Sequence, residues 1–509
     1  MSALRRIAAS PSLPALCGII ALGAALRFAT LGLQSYRYDE AVTVGRVLHA
    51  GFLDTFAAIP RSESTPPLYY LVAWAWSKPF GTGEAWMRSL SALAGTASIA
   101  VVYLAARSLP VPRRGALIAA AIVAVSPVLI WFSQDARAYA LVFLLAALSF
   151  LFFARARRSG AARDLAWWGA SSALALATHY FAGFLIVPEA AVLLLGRNRR
   201  AAALATAAIV AMGALLTPIA LEQSEHDHAS WIASQPIGGR LERAGAKFVG
   251  LDNGDEHGAR QGDGVPLAVP AALALLASAL LLWRGDPEER RGAGTAALVG
   301  GSAVGLALLA AALGRDYFDG RNLLPAFVPL LIVVGAGFGV RRMRWAGLAA
   351  AGAFCLSALF FSLEIDRLPR LQRENLRNAA AEVGPLRPGK IVVTDRYIAN
   401  QPLRYYLGAE FATAAAPVRE IDLVGSAAAG RHAARLLPSA FRRVDSDPVS
   451  YDFTLTCLRA SHPVRVPLRL LENGALVGGG GRASVLVPPA AAPPPRRRSW
   501  TPRGSVRAR

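Results

Sequence analysis

Cysteine is nearly absent from this 509-residue chain. There are three, of which Cys17 and Cys355 fall inside apolar runs and Cys457 stands alone in a distant polar region. No disulfide framework or thiolate metal site is built from such a set. Lysine is as scarce, at Lys78, Lys247 and Lys390 against 54 basic residues in all, so nearly all the positive charge is arginine. A net charge of +21 raises nucleic acid as a partner. The arginines cluster instead in short breaks between apolar runs, which is a topology signal, and no nucleic-acid module accompanies them. Internal repeats, which mark many transporters, are also missing.

Apolar residues are abundant, at 54% of the chain with a mean hydropathy of +0.39. Runs of about 18 to 22 residues recur through the first part of the sequence, each long enough to cross a hydrocarbon core of about 30 Å. The expectation is a polytopic α-helical membrane protein, multi-pass in the plasma membrane. It has about eleven spans, near 13–33, 87–108, 115–132, 137–155, 165–180, 181–196, 201–221, 265–284, 293–314, 322–340 and 345–363. The fifth and sixth leave almost no room for a turn in "ALATHYFAGFLIVPEA".

Arginines mark alternate breaks: "MSALRR", "RSLPVPRRG", "RARRSGAAR", "GRNRR", "WRGDPEERRG" and "RRMR". The positive-inside rule makes these cytoplasmic. The Asp39 loop, "SQDARAYA", "THYF", the 222–264 loop, "GRDYFDGRN" and everything after about residue 364 then lie outside. Arg5 and Arg6 before the first run also fit a signal peptide, but the run continues past any obvious cleavage site. Cleavage would still leave Asp39 outside.

The first external loop is long and partly apolar. Val42, Val47, Leu48 and Phe52 fall at helical spacing, and "TPPLYYLVAWAWSKPFG" is rich in the aromatics that suit the headgroup level. Juxtamembrane helices in this loop are expected to roof a cavity. After residue 364 the pattern changes to amphipathic helix and alternating strand, as in "KIVVT" and "SYDFTLTCLRA". The division expected is a membrane domain over 1–363, a small extracytoplasmic α/β domain over 364–483, and a disordered Pro/Arg-rich tail over 484–509.

Several polar groups gather at the expected outer surface. Asp39 and Glu40 end the first span, and Arg27 lies within it about three turns earlier. Asp135 and Arg137 occupy a tight turn, and His179 with Tyr180 ends the fifth span. Arg315, Asp316, Tyr317, Asp319 and Arg321 occupy the turn after the ninth. Singly, each reads as a solvated helix end, a cap, or an arginine snorkelling to the interface. Together they suit sugar transfer from a polyprenyl phosphate. A carboxylate takes the acceptor's proton, and arginines hold the phosphate as charge develops on it.

"LRFATLGLQSYRYDEAVTV", "STPPLYYLVAWAWSKPFGTGEAWMRSLSALAG", "PVLIWFSQDARAYAL", "THYFAGFLIVPEA" and "YFDGRNLLPAFVPLL" resemble the family 39 membrane glycosyltransferases. That family includes the protein O-mannosyltransferases and the lipid A aminoarabinose transferases. The resemblance covers most of residues 20 to 340. It implies a GT-C fold, a polyprenyl-phosphate sugar donor, and a glycan, glycolipid or protein acceptor. Asp39 is then the catalytic base with Glu40 as its support. Asp135, Arg137, Arg27, His179 and Tyr180 line the substrate cavity, and Arg321 with Tyr317 approaches the phosphate. An inverting single displacement is implied. Several relatives have His before the proline pair where this chain has Thr65, so a metal or substrate role of that His does not carry over, and Glu63 and His179 are the candidates to substitute for it. A divalent cation is possible, because some relatives bind one and others need none. The rival readings are a polytopic transporter or flippase, favoured by Glu189 beside Pro188 within the sixth span, and a non-catalytic cell-envelope scaffold.

Overall fold

The computed structural model describes residues 12–226, 230–249, 268–426 and 428–489. The arginines of "MSALRR", parts of the 222–264 loop, the start of the span near 265–284 and the tail beyond residue 489 lie outside the described residues. The chain divides into two compact units, Met1–Glu374 and Asn375–Arg509.

The described part of the first unit is helical. Its helices are α1 (Leu13–Phe28), α2 (Tyr38–Val42), α3 (Phe52–Ser62), α4 (Leu68–Phe80), α5 (Glu84–Ser108), α6 (Arg113–Val125), α7 (Pro127–Ser133) and α8 (Tyr139–Ser159). They continue as α9 (Ala162–Thr178), α10 (Gly183–Leu194), α11 (Arg199–Glu225), α12 (Ile237–Val249), α13 (Ala268–Trp283), α14 (Pro287–Ala312), α15 (Leu324–Phe338) and α16 (Arg344–Arg367). The helices α5, α8, α11 and α14, with the segment Arg341–Arg367, are each long and apolar enough to cross a membrane. Shorter apolar helices occupy Leu13–Phe28, Tyr180–Leu194 and Leu324–Phe338. This is a multi-pass membrane protein, although length and composition alone do not single out eleven spans.

The span expected at 115–132 is broken. Helices α6 and α7 meet at Ser126 with a bend of 57°. Pro127 has no N–H, so the carbonyl four residues earlier, at Val123, loses its helical partner. Arg27 from α1 replaces it. Its Nη2 donates to Val123 O at 2.9 Å, and its Nη1 donates to Ala124 O and Gly23 O at 2.9 Å each. Its Nε donates to Ser133 Oγ at 3.1 Å, and Ser362 Oγ supplies Val125 O at 3.2 Å. Carbonyls freed inside a bilayer must find partners within the protein. Gly95 on α5 makes room for this knot, because a Cβ there would lie 2.0 Å from Ser133 Oγ and 3.1 Å from Arg27 Nε. The break directs the chain into the loop that carries Asp135 and Arg137.

The first external loop forms helices, and α3 has one exposed and one buried face. Phe52, Leu53 and Phe56 of α3 are exposed, while Thr55 and Ile59 are buried. The tight join at 179–182 is a single 3₁₀ turn, Tyr180–Ala182, capped by His179, whose Nδ1 accepts from Phe181 N at 3.4 Å. Residues 364–374, expected to open the C-terminal domain, belong instead to the helical unit, with α16 running on to Arg367.

The second unit holds a six-stranded sheet ordered β2-β6-β1-β3-β5-β4. Its strands are β1 (Lys390–Asp395), β2 (Glu410–Phe411), β3 (Pro417–Gly425), β4 (Arg442–Pro448), β5 (Thr454–Arg465) and β6 (Ala483–Val487). Strand β1 pairs parallel with β3 and antiparallel with β6. Alternation sends Ile391, Val393 and Ile421 to one face, and Val392 to the other, where the helix Leu376–Val383 packs. Residues 484–487, assigned to the tail from composition, form most of the inner strand β6. Their "ASVLV" pattern is strand-like, and only the residues beyond it lose periodicity.

Candidate active site

Asp39 and Glu40 sit in the first turn of α2, which follows the loop that leaves α1. They are adjacent in sequence but in different surroundings. Glu40 is fully buried, whereas Asp39 is half-buried. Glu40 Oε1 accepts from Arg88 Nε at 2.8 Å and from Ala136 N at 2.9 Å. Its Oε2 accepts from Arg88 Nη2 at 2.7 Å, Arg37 N at 3.1 Å and Arg373 Nη1 at 3.3 Å. Burial works to raise the Glu40 carboxyl, but Arg88 and Arg373 beside it hold it down at about 2. A carboxylate with every lone pair engaged is a fastener rather than a base. It ties the loop after α1 to the loop after α7.

Sequence reasoning missed both arginines of this clamp. Arg88 also donates to the carbonyls of Leu31, Gln34 and Ser35 at 3.0, 2.7 and 2.9 Å. An arginine at the edge of an apolar run was a legible hint. Arg373 donates to Gln134 O at 2.8 Å and lies over the Trp131 ring at 4.6 Å. Nothing local in "QRENLRN" distinguishes it from a solvated helix charge.

The loop after α7 places Asp135 and Arg137 on either side of this fastener. Asp135 is buried, with Oδ1 3.8 Å from Arg373 Nη2. Burial, with the Glu40 charge adding to it, raises the Asp135 carboxyl to about 6 against the opposing pull of Arg373. Arg137 Nη1 donates to Glu63 Oε1 and Oε2 at 2.7 and 2.6 Å, to Thr43 Oγ1 at 3.1 Å and to Asp39 O at 3.4 Å. The Asp39 charge bears on this pair as well, raising Glu63 further after burial has done most. Thr65 does not take the place of a histidine. Its hydroxyl is hydrogen-bonded to Tyr70 Oη at 2.7 Å, and its carbonyl accepts from Gln223 Nε2 at 2.9 Å. Tyr180 Oη donates to Gln223 Oε1 at 2.8 Å, so Tyr180 is linked to this shell.

His179 joins the two halves of the site. Burial pushes its imidazole down to about 3, and both Arg321 and Arg137 add to the effect. It is neutral, with Nδ1 accepting from Phe181 N, which leaves the proton on Nε2. Beyond it lies the turn 315–322. Arg321 Nε is 4.0 Å from Asp319 Oδ1, with its guanidinium 4.8 Å from the Trp231 ring. The Tyr317 ring packs on Phe181 at 5.5 Å. Next to this pair an apolar cavity of about 370 Å³ opens, lined by Tyr180, Phe184, Val187, Leu306, Leu309 and Leu313 among others.

Of the residues expected to line the cavity, Asp135 and Arg137 lie beside the acidic pair, Tyr180 is linked to Thr65 through Gln223, and His179 and Tyr317 both pack on Phe181 near Arg321. Arg27 is not one of them. The expectation of substrate binding is corrected, because its donors serve the carbonyls at the Pro127 break. Glu189, the residue that favoured a transporter, is fully buried, and its Oε2 accepts from Ser149 Oγ at 2.5 Å and Trp168 Nε1 at 2.8 Å. For a divalent cation, no group of three His, Cys, Asp or Glu side chains stands ready among the described residues. Glu40 and Glu63 are engaged by arginines instead, so these residues do not fit a preformed metal site.

Residues 64–221 match the family model described as dolichyl-phosphate-mannose-protein mannosyltransferase. That stretch contains Arg88, Asp135, Arg137, His179 and Tyr180 but ends short of Asp39 on one side and Arg321 on the other. No curated protein matches the chain. The chain is similar in structure to ArnT from Cupriavidus metallidurans in the apo state, with a TM-score of 0.56 and 13% identity over 88% of this chain and 98% of that one. Against the same protein bound to undecaprenyl phosphate the TM-score is 0.55 at 12% identity, with the same coverage. The chain thus has the GT-C fold, and its stretch from residue 64 to 221 carries the pattern of the dolichyl-phosphate-mannose-protein mannosyltransferase family.

Proposed function

We propose that the protein is a membrane glycosyltransferase that moves a sugar from a polyprenyl-phosphate donor to an acceptor at the extracytoplasmic face. The acceptor is a glycan, a glycolipid or a protein, and the sugar a hexose or a pentose. The observation that carries this reading is the division within the acidic pair. Glu40 is buried and clamped by Arg88 and Arg373, while Asp39 beside it remains half-buried, its carbonyl 3.4 Å from Arg137 Nη1. Asp39 takes the proton from the acceptor hydroxyl as its oxygen attacks the anomeric carbon. The polyprenyl phosphate leaves from the opposite side, which inverts the configuration. Arg321 offsets the charge that develops on the leaving phosphate, and the apolar cavity beside Tyr180 suits the first units of the lipid. The arginine-rich loops between the other helix ends favour the cytoplasm, which sets Asp39 on the far side. Support for a lipid-linked donor comes from the family pattern and from a structural neighbour that binds undecaprenyl phosphate.

The test is transfer from a radiolabelled polyprenyl-phosphate sugar by purified protein. Asp39→Asn is expected to lose about 10²–10⁴-fold in transfer while staying folded and binding the lipid. Full transfer by this variant overturns the assignment. Movement of a solute across vesicles without a glycosidic product would favour the transporter or flippase instead.

A further inference from the structure

The last apolar helix, α16, ends at Arg367, and the second unit begins at Asn375. Between them a short stretch of chain returns to the acidic pair. Its 3₁₀ turn Pro369–Leu371 buries Leu371, and the backbone N–H of Arg373 donates to Gln34 Oε1 at 2.9 Å. The Arg373 side chain is left only 2% exposed.

Arg88 and Arg373 both hold Glu40, but their reach differs. Arg88 gives its remaining donors to Leu31, Gln34 and Ser35, all within the loop after α1. Arg373 crosses to the end of α7 and the loop beyond it. Its Nη1 donates to Glu40 Oε2 at 3.3 Å and to Gln134 O at 2.8 Å. Its Nη2 donates to Trp131 O at 3.5 Å and stands 3.8 Å from Asp135 Oδ1. One planar guanidinium thus fixes the loop that carries Asp39 against the loop that carries Asp135 and Arg137.

The fit around this guanidinium is incomplete. Arg373 Nε, Trp131 Nε1 and Asp135 Oδ1 are all buried without a hydrogen-bond partner. Such atoms cost stability, and a fastener shaped for stability alone would satisfy them. Arg373 instead approaches Asp135 without bonding it, which holds the acid in place and leaves its oxygen uncommitted.

We infer that Arg373 is a positioning residue for the transfer reaction, setting the spacing between Asp39 and the Asp135–Arg137 loop. The stretch after the last apolar helix is then part of the active site. This rests on the reading of Asp39 as the base. Arg373 acts through Glu40 and Gln134, and touches neither donor nor acceptor. Its loss shifts the reacting groups relative to one another, and a misplacement of about 1 Å costs about 10²-fold in rate.

The experiment uses the full chain in detergent, labelled undecaprenyl-phosphate mannose and undecaprenyl-phosphate arabinose as donors, and a membrane extract as acceptor. Turnover is counted per undecaprenyl phosphate bound, so unfolded protein does not enter kcat. Arg373→Met should lower kcat by about 10²-fold with the donor KM unchanged. Arg373→Lys keeps the charge but not the fork that spans both loops, so its kcat should fall between the two. Parental kcat in Arg373→Met overturns the inference and leaves the donor reading standing. A rise in donor KM that accounts for the whole loss also overturns it, because Arg373 would then bind the donor. If Arg373→Met fails to fold, Arg373→Lys decides, and parental kcat there overturns the inference. A parent protein that transfers neither sugar and binds undecaprenyl phosphate no better than undecaprenol overturns the donor reading itself, and this inference with it.

Discussion

Two adjacent carboxylates in this chain differ more than most distant ones, because their neighbours differ. Glu40 is buried and meets two arginines and two backbone N–H groups, and Asp39 stays half-buried beside it. The third acid, Asp135, makes a pH prediction. Its carboxyl is raised to about 6 from an ordinary 3.8. Between those values the folded protein keeps a proton that the unfolded chain has released, so stability falls as pH rises through this window. Glu40 has the opposite sign. Held at about 2 against an ordinary 4.5, it contributes stability above the ordinary value that is lost as pH falls toward 2. Thermal unfolding in detergent should therefore show a flatter slope between about pH 4 and 6 for Asp135→Asn, with the loss at lower pH unchanged. An identical slope in the parent and the variant would remove Asp135 as its source.

At the scale of elements, the break between α6 and α7 decides where the site forms. A straight helix through residue 133 would carry the Asp135 loop along its axis, away from Glu40. Proline opens the break, and Arg27 satisfies the carbonyls it frees. Arg27→Met is expected to destabilise the protein by about 3–5 kcal/mol, the scale for losing one partner of a buried charged network. Adding Pro127→Ala restores an N–H for Val123 and should recover part of that loss, read as the midpoint of thermal unfolding. Equal destabilisation in the single and double variants would detach the arginine from the proline. The sequence showed an arginine inside a span and a proline inside another. That the first answers the second across nearly a hundred residues was not legible, because the pairing is a contact between helices with no local periodicity.

At the scale of the molecule, each unit carries its own core. The sheet of the second unit buries Ile391, Val393, Leu423 and Leu458 on one face and Val392, Leu403 and Leu486 on the other. All of these residues lie between Leu376 and Val487, so a fragment covering 375–489 should give a cooperative thermal transition and strand-rich circular dichroism when expressed alone. A fragment without a transition would show that the helical unit is needed for it to fold. Placing the boundary at 363 came from where hydropathy drops. The helical unit extends to Glu374 because Arg373 is held by the carboxylates and carbonyls of that unit, an attraction that hydropathy does not record.

What the sequence determined by itself is what depends on local pattern. Apolar runs of bilayer length dictate membrane helices, alternation in "KIVVT" dictates strand, and the acids and arginines fall at the ends of those apolar runs. The tertiary structure alone decided which of those charges meet. It set Arg88 and Arg373 on Glu40 and Arg137 on Glu63, and it withdrew Arg27 to a structural duty. Charges interact over a few ångströms in space whatever their separation along the chain, and burial sharpens those interactions far beyond their strength in water. Partners 48 or 333 residues apart, as Arg88 and Arg373 are from Glu40, are therefore fixed only when the helices pack.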